Sequence, residues 1–302
     1  MLVTGGSGFI GTRLIESLVS KGARVTSLSR NPREASGKVV YAKGRISDPL
    51  ILETLVKDKD AIFHLAANAD IGKSVESARY DAETNVLGTL NLLECTRKNN
   101  RNAPILLISS SAVYGESINQ IVKETDPVQP INPYGASKAS SEIYAEMYVR
   151  KYGMKIVILR PFHAYGSLTR NDFVANTINK VVNGKSPEIH GTGNQIRDFT
   201  YVKDIVDIME LAICNPKTFG RVLNCGTGTG VKIVDSVKMV IEIFGEGRQL
   251  QPIYREPDSA GRGNICDPTL LKELVGRIPE TDLRSGLLKM KSELTLVLHE
   301  RS

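Results

Sequence analysis

A glycine-rich turn close to the N-terminus restricts the fold of this 302-residue chain more than any other feature. The apolar residues Met1–Val3 lead into the run TGGSGFIG at Thr4–Gly11, and an amphipathic segment follows from Thr12 to Ser20. Glycines in such a turn allow a sharp bend, a close approach of the backbone to a pyrophosphate and tight packing of a helix on its strand. The N-terminus of the helix then faces the phosphates. The pattern predicts a dinucleotide site with contacts at Gly5, Gly8, Phe9, Ile10 and Gly11.

Strand-like and helix-like segments alternate after this turn. Strands are predicted at residues 24–29, 39–42, 61–66, 105–108, 156–159 and 222–225, and helices at 49–57, 134–152, 172–183, 202–214 and 231–244. A further helix is predicted from Tyr80, with Leu87, Leu90 and Leu93 in the core. Such alternation implies right-handed crossovers and a parallel sheet.

The rhythm of the elements predicts an α/β fold, a doubly wound parallel Rossmann sheet followed by a smaller C-terminal α/β lobe that binds substrate. Residues 1–165 are expected to form the dinucleotide-binding domain, with 195–228 returning to it. Residues 166–194 and 229–302 are expected to form the lobe.

The end of the second predicted strand bears on the choice of cofactor. It reads Ser29-Arg30-Asn31-Pro32-Arg33, without the carboxylate that takes the ribose hydroxyls of NAD. A hydroxyl followed by arginines suits the 2′-phosphate of NADP. The same arginines would also fit a solvated loop of an NAD enzyme, so the sequence favours NADP and leaves NAD open.

A tyrosine and a lysine four residues apart form a candidate general acid/base. Tyr134 and Lys138 share one face of a predicted helix, and the ammonium can lower the pKa of the phenol toward working pH. The serines Ser109–Ser111 follow the apolar segment 105–108, at the carboxyl end of a central strand, where side chains point into the ligand crevice. Because such pairs are common on helix surfaces, the assignment depends on the dinucleotide site.

Composition excludes few classes of function. The formal net charge of +6 suits a phosphorylated substrate or a generally basic surface, and no segment concentrates the lysines and arginines as nucleic-acid binding would require. The four cysteines, Cys95, Cys214, Cys225 and Cys266, lack zinc-site spacing and favour a reducing compartment. Since no apolar run approaches membrane-spanning length and no signal peptide is evident, a cytoplasmic protein that does not bind membranes is expected.

Together these motifs resemble the extended short-chain dehydrogenase/reductase family, specifically its nucleotide-sugar epimerase, dehydratase and reductase branch. The resemblance covers nearly the whole chain. It is carried by Thr4–Gly11, His64–Ala67, Asn85–Thr89, Ser109–Gly115, Tyr134–Lys138, Arg160–Phe162 and Gln195–Phe199.

The resemblance implies roles for individual residues. Tyr134 would remove the proton from a sugar hydroxyl as hydride leaves the same carbon, Lys138 would hold the cofactor ribose, and Ser110 would hydrogen-bond the sugar oxygen. Arg197 would clamp the diphosphate of the substrate. Further cofactor contacts are implied at Leu65, Ala66, Ala67, Asn85, Ser109 and Pro161, and substrate contacts at Ser111, His163, Asn176, Arg255 and Arg262.

Three departures from the family pattern restrict the reading. Ser111-Ala112 stand where a sugar 4,6-dehydratase has acidic residues, which argues against elimination of water. His163 replaces the asparagine that usually contacts the substrate phosphates, and a structural role for this histidine is equally open. Arg45 replaces the aspartate that usually meets the adenine, which makes the adenosine pocket more cationic.

The resemblance implies a nucleotide-sugar 4-epimerase of the UDP-glucose/UDP-galactose type, acting through a 4-keto intermediate with NAD or NADP and without a metal. An NADPH-dependent reductase of a 4-keto nucleotide sugar is the alternative, and a non-catalytic dinucleotide-binding sensor is a remote one. Members of the family often form homodimers through a four-helix bundle, for which the helices near Asn85 and Tyr144 are the candidates.

Overall fold

Seven parallel strands form the central sheet of the protein. The computed structural model describes residues 1–32, 37–116, 120–167, 172–256 and 263–299. Within these ranges the sheet strands are β1 (Leu2–Thr4), β2 (Val25–Ser29), β3 (Val39–Lys43), β4 (Ile62–His64), β5 (Ile105–Ile108), β6 (Ile156–Pro161) and β7 (Val222–Cys225). Their spatial order is β7-β6-β5-β4-β1-β2-β3, and every neighbouring pair is parallel. The predicted doubly wound parallel sheet is confirmed.

Helices cover both faces of this sheet and also build the smaller core beside it. They are α1 (Phe9–Ser20), α2 (Pro49–Leu55), α3 (Ile71–Glu76), α4 (Ala78–Ala82), α5 (Gly88–Asn99), α6 (Pro133–Tyr152), α7 (Phe173–Val182), α8 (Val202–Cys214), α9 (Ile233–Phe244), α10 (Thr269–Val275) and α11 (Leu283–His299). Among the described helices, none is both long and apolar enough to span a lipid bilayer.

Successive strand residues enter two different cores. Leu106 and Ile108 of β5 belong to the cluster that includes α1 and α8, whereas Ile105 and Leu107 belong to the cluster that includes α5 and α6. All four side chains are buried, which is why the strand is apolar at every position. The sheet therefore serves as the middle of three layers.

The chain reverses its direction of travel across the sheet between β1 and β4. From β1 it adds β2 and β3 on one side, and from β4 it adds β5, β6 and β7 on the other. Loops at the carboxyl ends of β1 and β4 consequently diverge and leave a crevice, which is where open α/β sheets bind ligands.

A separate apolar cluster lies beside this crevice. It combines buried residues of α7, α9 and α11 with Tyr165 and Phe199, and Phe9 and Ile10 from the first turn of α1 pack against it. Short paired strands accompany it, for example Glu188–His190 with Ile253–Arg255. The glycine turn is therefore bordered by this smaller core as well as by the sheet.

One predicted core position is wrong. Leu93 is buried, but Leu87 is 51% exposed. The reason is a π-helical turn at Glu83–Leu87 between α4 and α5. Because a π turn takes more residues than an α turn, helical spacing read through it assigns the wrong face.

Candidate active site

A cleft of about 1460 Å³ follows the carboxyl ends of the central strands. Most residues that the sequence singled out line it. They are Gly5, Gly8, Phe9, Ile10, Gly11, Ser29, Arg30, Leu65, Ala66, Ala67, Ser109, Ser110, Ser111, Tyr134, Lys138, Pro161, His163 and Arg197. Arg33 and Arg262 lie outside the described residues.

The glycine turn shapes one wall of the cleft. Gly5 has φ +75°, and a Cβ placed on it would lie 2.7 Å from the backbone nitrogen of Ala66. A Cβ on Gly11 would press against the carbonyl oxygen of Gly5. Gly8 occupies the N-cap of α1 and has no side chain to cap the first-turn amides. These amides are therefore available to an anionic group, as a bound pyrophosphate requires.

The hydroxyl of Ser7 gives a second sign that the turn fits a dinucleotide. Its Oγ is buried and has no hydrogen-bond partner among the described residues, although it lies in the cleft wall. A buried hydroxyl without a partner is costly, and a ligand oxygen would satisfy it. The residues present thus fit the phosphates of a nicotinamide dinucleotide.

Two arginines stand at the end of the cleft near β2. The hydroxyl of Ser29 is buried and accepts a hydrogen bond of 3.1 Å from the Ser7 amide. Arg30 is exposed and donates to the Tyr80 hydroxyl. Arg45 is also exposed, and both guanidinium groups border the cleft. This end of the cleft is therefore cationic.

Helix α6 carries the candidate acid/base pair. Asn132 caps the helix by accepting a hydrogen bond of 2.8 Å from the Gly135 amide, and Pro133 opens its first turn. Lys138, four residues after Tyr134, is buried and donates to the carbonyl oxygen of Ile108. The Tyr134 amide in turn donates to the hydroxyl of Ser74 on α3. The Lys138 side chain is therefore fixed at the carboxyl edge of β5, and the backbone of Tyr134 is tied to α3.

The pKa of Tyr134 lies above its ordinary value. Burial of the phenol is the main cause, the Asp81 carboxylate adds to it, and a hydrogen bond with Ser110 opposes it. The predicted lowering of this pKa is wrong for the protein alone, because burial outweighs the favourable contacts. Burial also lowers the pKa of Lys138 to about 8, while the carboxylates of Glu142 and Asp81 oppose that shift.

The serines after β5 face the same space. Ser110 accepts a hydrogen bond of 3.1 Å from the Ala112 amide and so caps the short 3-10 turn Ser111–Tyr114. Its hydroxyl also interacts with the Tyr134 phenol. Ser109 is buried, and its Oγ has no hydrogen-bond partner within the described ranges. One sugar hydroxyl placed between Ser110 and Tyr134 could bond to both.

A buried polar network supports the pair from below, and sequence reasoning missed most of it. Asn85 lies beneath the cleft and donates to Ser137 Oγ (2.9 Å), to Asp81 Oδ1 (3.2 Å) and to the Asn68 carbonyl oxygen (3.1 Å). The Asn68 amide donates to Asn85 Oδ1 at 2.7 Å. The four-residue spacing of Asp81 and Asn85 was the available sequence signal.

A second buried network lies behind Lys138. Arg160 on β6 pairs with Glu142, and both side chains are 4% exposed. Arg160 also donates to the Tyr114 hydroxyl at 2.7 Å, which donates to Asn224 Oδ1 at 2.7 Å. This network ties α6 to β6 and β7.

His163 and Arg197 also line the cleft. The His163 ring meets Phe199 edge-on at 4.9 Å, and burial lowers the pKa of this histidine to about 4. Its Nε2 is buried and has no hydrogen-bond partner in the described part of the chain. Arg197 donates to the Ile196 carbonyl oxygen at 2.9 Å. His163 is therefore neutral at pH 7 and can hydrogen-bond an uncharged or anionic ligand group.

Two predicted substrate contacts occupy other places. Asn176 is exposed on α7, whose apolar side, with Val174 and Ile178, enters the smaller core. Arg255 is exposed and makes an ion pair with Glu188 across paired strands. The structure does not bring either residue to the cleft wall.

Comparison with known proteins identifies the family of the chain. Residues 1–226 match the model of the NAD dependent epimerase/dehydratase family. A putative UDP-glucose 4-epimerase from Methanocaldococcus jannaschii is 34% identical, and the alignment covers 96% of each chain.

Two solved structures resemble the chain over nearly its whole length. A UDP-glucose 4-epimerase from Thermotoga maritima, determined with UDP-glucose, is 31% identical with a TM-score of 0.90 over 98% of this chain and 99% of that one. MoeE5, determined with UDP-glucose and NAD, is 29% identical with a TM-score of 0.90 and the same coverage. With the family model covering most of its length, the chain belongs to the NAD-dependent epimerase/dehydratase family of extended short-chain dehydrogenases/reductases.

Proposed function

We propose that this protein is a 4-epimerase of UDP-glucose and UDP-galactose. The observation that carries the proposal is that Tyr134 and Ser110 are hydrogen-bonded in the wall of the cleft, which Lys138, anchored at the end of β5, also lines. The UDP-glucose bound in the Thermotoga relative supports the substrate class.

The residues of the chain would divide the reaction as follows. Tyr134 takes the proton of the sugar C4 hydroxyl, and Ser110 holds that oxygen by a hydrogen bond. Lys138 supplies positive charge beside the phenol and holds the ribose of the cofactor. When bound, the nicotinamide supplies the hydride acceptor and then the hydride donor. Because the 4-keto sugar is planar at C4, rotation in the cleft exposes its other face, and Tyr134 returns the proton.

Dehydration is disfavoured by the residues after the catalytic serine. Elimination of water requires a second acid and base beside the sugar, whereas Ser111 and Ala112 follow Ser110 here. Both line the cleft without a titratable group. We therefore assign epimerisation rather than 4,6-dehydration.

The cofactor is a nicotinamide dinucleotide, and we infer a preference for NADP over NAD. Arg30 and Arg45 border the end of the cleft at β2, where residues 29–32 carry no carboxylate. Two guanidinium groups favour a 2′-phosphate by charge-assisted hydrogen bonds. The variant R30A/R45A should lose affinity for NADP and keep its affinity for NAD. An unchanged NADP affinity would contradict this preference.

The arginines also favour a second candidate, an NADPH-dependent reductase of a 4-keto nucleotide sugar. A reductase must release its oxidised cofactor after each turnover, whereas an epimerase regenerates it in place. Retention of the dinucleotide during purification therefore separates the two candidates.

The deciding experiment is product analysis after incubation with UDP-galactose and no added reductant. Formation of UDP-glucose supports the epimerase, and Y134F, which keeps the ring and removes the hydroxyl, should abolish it while leaving nucleotide binding intact. No conversion, together with a dinucleotide that washes away, would contradict the epimerase and support the reductase. Normal turnover by Y134F would contradict the role of Tyr134.

We also propose a homodimer and a cytoplasmic location. Ile143 and Tyr144 on α6 are 65% and 37% exposed, and Leu87 beside α5 is 51% exposed, which suits an interface between copies. Sedimentation of I143D as a monomer beside a dimeric parent would support the dimer.

Three buried thiols, those of Cys95, Cys225 and Cys266, suit a reducing compartment.

A further inference from the structure

Asp81 on α4 carries a carboxylate that is not exposed to solvent. Its side chain is fully buried, and its Oδ1 accepts hydrogen bonds from the side-chain amides of Asn68 (2.8 Å) and Asn85 (3.2 Å). Its Oδ2 has no hydrogen-bond partner in the ranges that the structure describes. Within those ranges, the cations that make ion pairs all pair with other carboxylates. A buried charge of this kind is costly unless another charge or a function requires it.

The elements packed against α4 show which groups sense this charge. On α3, Lys73 pairs with Asp70 at the surface. On α4 itself, Arg79 pairs with Glu83 one turn along the chain. On α6, the Asp81 charge raises the pKa of both Tyr134 and Lys138. The negative charge of Asp81, which no ion pair among the described residues offsets, therefore acts on the candidate catalytic pair.

The other titratable groups around Lys138 are either paired with a cation or neutral. Glu142 faces Lys138 from one turn further along α6, but Arg160 binds this carboxylate through two nitrogens. His64 on β4 is buried, and its pKa of about 3 keeps it neutral above pH 5. Asp81 is thus the anion near Lys138 that no described cation neutralises.

The same carboxylate also holds the backbone of the catalytic residue. Asn85, which donates to Asp81, donates to Ser137 Oγ at 2.9 Å, and that hydroxyl donates to the Tyr134 carbonyl oxygen at 2.9 Å. A chain of hydrogen bonds thus runs from Asp81 to the first turn of α6.

We propose that Asp81 is a positioning residue that sets the charge balance of the Tyr134–Lys138 pair, an inference that rests on the proposed epimerase site. As an anion it stabilises the Lys138 ammonium and opposes the Tyr134 phenolate. A phenolate that forms against this field is a stronger base toward the sugar hydroxyl. The lysine meanwhile keeps its proton despite burial.

The substitution D81N isolates the charge. Because Oδ2 makes no hydrogen bond in the described structure, the amide nitrogen of an asparagine can take that place while its oxygen still accepts from Asn68 and Asn85. The ionisations of Tyr134 and Lys138 should both move to lower pH, by about one unit each. Both limbs of the pH profile of kcat should shift in the same direction. S137A is the matched control, because it cuts the same chain of hydrogen bonds without changing charge.

A titration without substrate separates this inference from the proposed function. Ultraviolet difference spectra monitor tyrosinate formation. The difference between D81N and D81N/Y134F, and that between the parent and Y134F, isolate the ionisation of Tyr134. A lower Tyr134 pKa in D81N, with S137A unchanged, supports the proposal even in a protein that does not convert UDP-galactose. Equal ionisation in parent and D81N would overturn it. Should D81N fail to fold, D81S, which leaves room for a water, replaces it in the same titration.

Discussion

The ammonium nitrogen of Lys138 lies 2.7 Å from the carbonyl oxygen of Ile108, the last residue of β5. This hydrogen bond joins α6, which carries the candidate acid/base pair, to the carboxyl edge of the sheet. Ser109 and Ser110 follow Ile108 directly, so the lysine, the serines and the cleft share one anchor point.

K138M tests this anchor. Methionine keeps an unbranched stem of similar length but removes the charge and the donor, so the Ile108 carbonyl loses its partner and Tyr134 loses its neighbouring cation. We expect kcat for UDP-galactose to fall by about 10²–10⁴-fold. Steady-state kinetics and a circular dichroism spectrum check the loss and the fold. Turnover within a few fold of the parent would contradict the role of Lys138.

G11A tests the glycine turn. The added methyl group would meet the Gly5 carbonyl oxygen and lie 2.8 Å from Gly6 Cα, both of which are backbone atoms that cannot swing aside. We expect at least a tenfold loss of dinucleotide affinity and a lower melting temperature.

The control for this change is G72A, where a Cβ in α3 meets only the side-chain oxygen of Asp70 at 3.3 Å. Calorimetric titration with NAD and NADP measures both variants. Equal affinity in G11A and the parent would refute the steric argument.

Local sequence patterns sufficed for the parallel sheet and for the glycine turn at its edge. The glycine turn is encoded within a few neighbouring residues, whereas the Tyr134–Lys138 pair became a candidate only because the predicted dinucleotide site accompanies it. Strands could be predicted for the same reason. A short segment that is apolar at every position, such as 105–108, is typical of a strand buried on both faces of a parallel sheet.

Tertiary contacts decided what the sequence left open. The bond between Tyr114 and Asn224 joins residues 110 positions apart, and no pattern in either segment indicates it. The family resemblance implied a substrate contact at Arg255, but its guanidinium forms an ion pair with Glu188 on the adjacent strand. Leu87 was misplaced because one π turn shifts the helical phase.

R160M tests the buried ion pair behind α6. Removal of the guanidinium leaves the buried Glu142 carboxylate without its hydrogen-bonded partner, which should cost about 3–5 kcal/mol in the free energy of unfolding. The double variant E142M/R160M removes both charges and should recover most of this loss. Urea unfolding of the parent, R160M, E142M and E142M/R160M gives the coupling free energy between the two side chains. A double variant no more stable than R160M would contradict the ion-pair explanation.

Acid should destabilise the protein through two buried histidines. His64 hydrogen-bonds Thr4 and Thr89 in the core, and burial lowers its pKa to about 3, while that of His163 is about 4. Both have an ordinary value of 6.5, so between pH 6.5 and 4 the unfolded chain binds protons that the native protein does not. Stability therefore falls as pH falls through this window.

The slope of the free energy of unfolding against pH measures this effect. Each histidine should contribute about 1.4 kcal/mol per pH unit near pH 5. The variants H64Q and H163N should each lose one such increment, whatever their stability at pH 7, because the slope counts protons rather than contacts. Urea titrations at pH 5 and 6 supply the slopes. A parent slope unchanged by either substitution would show that other groups cause the acid sensitivity.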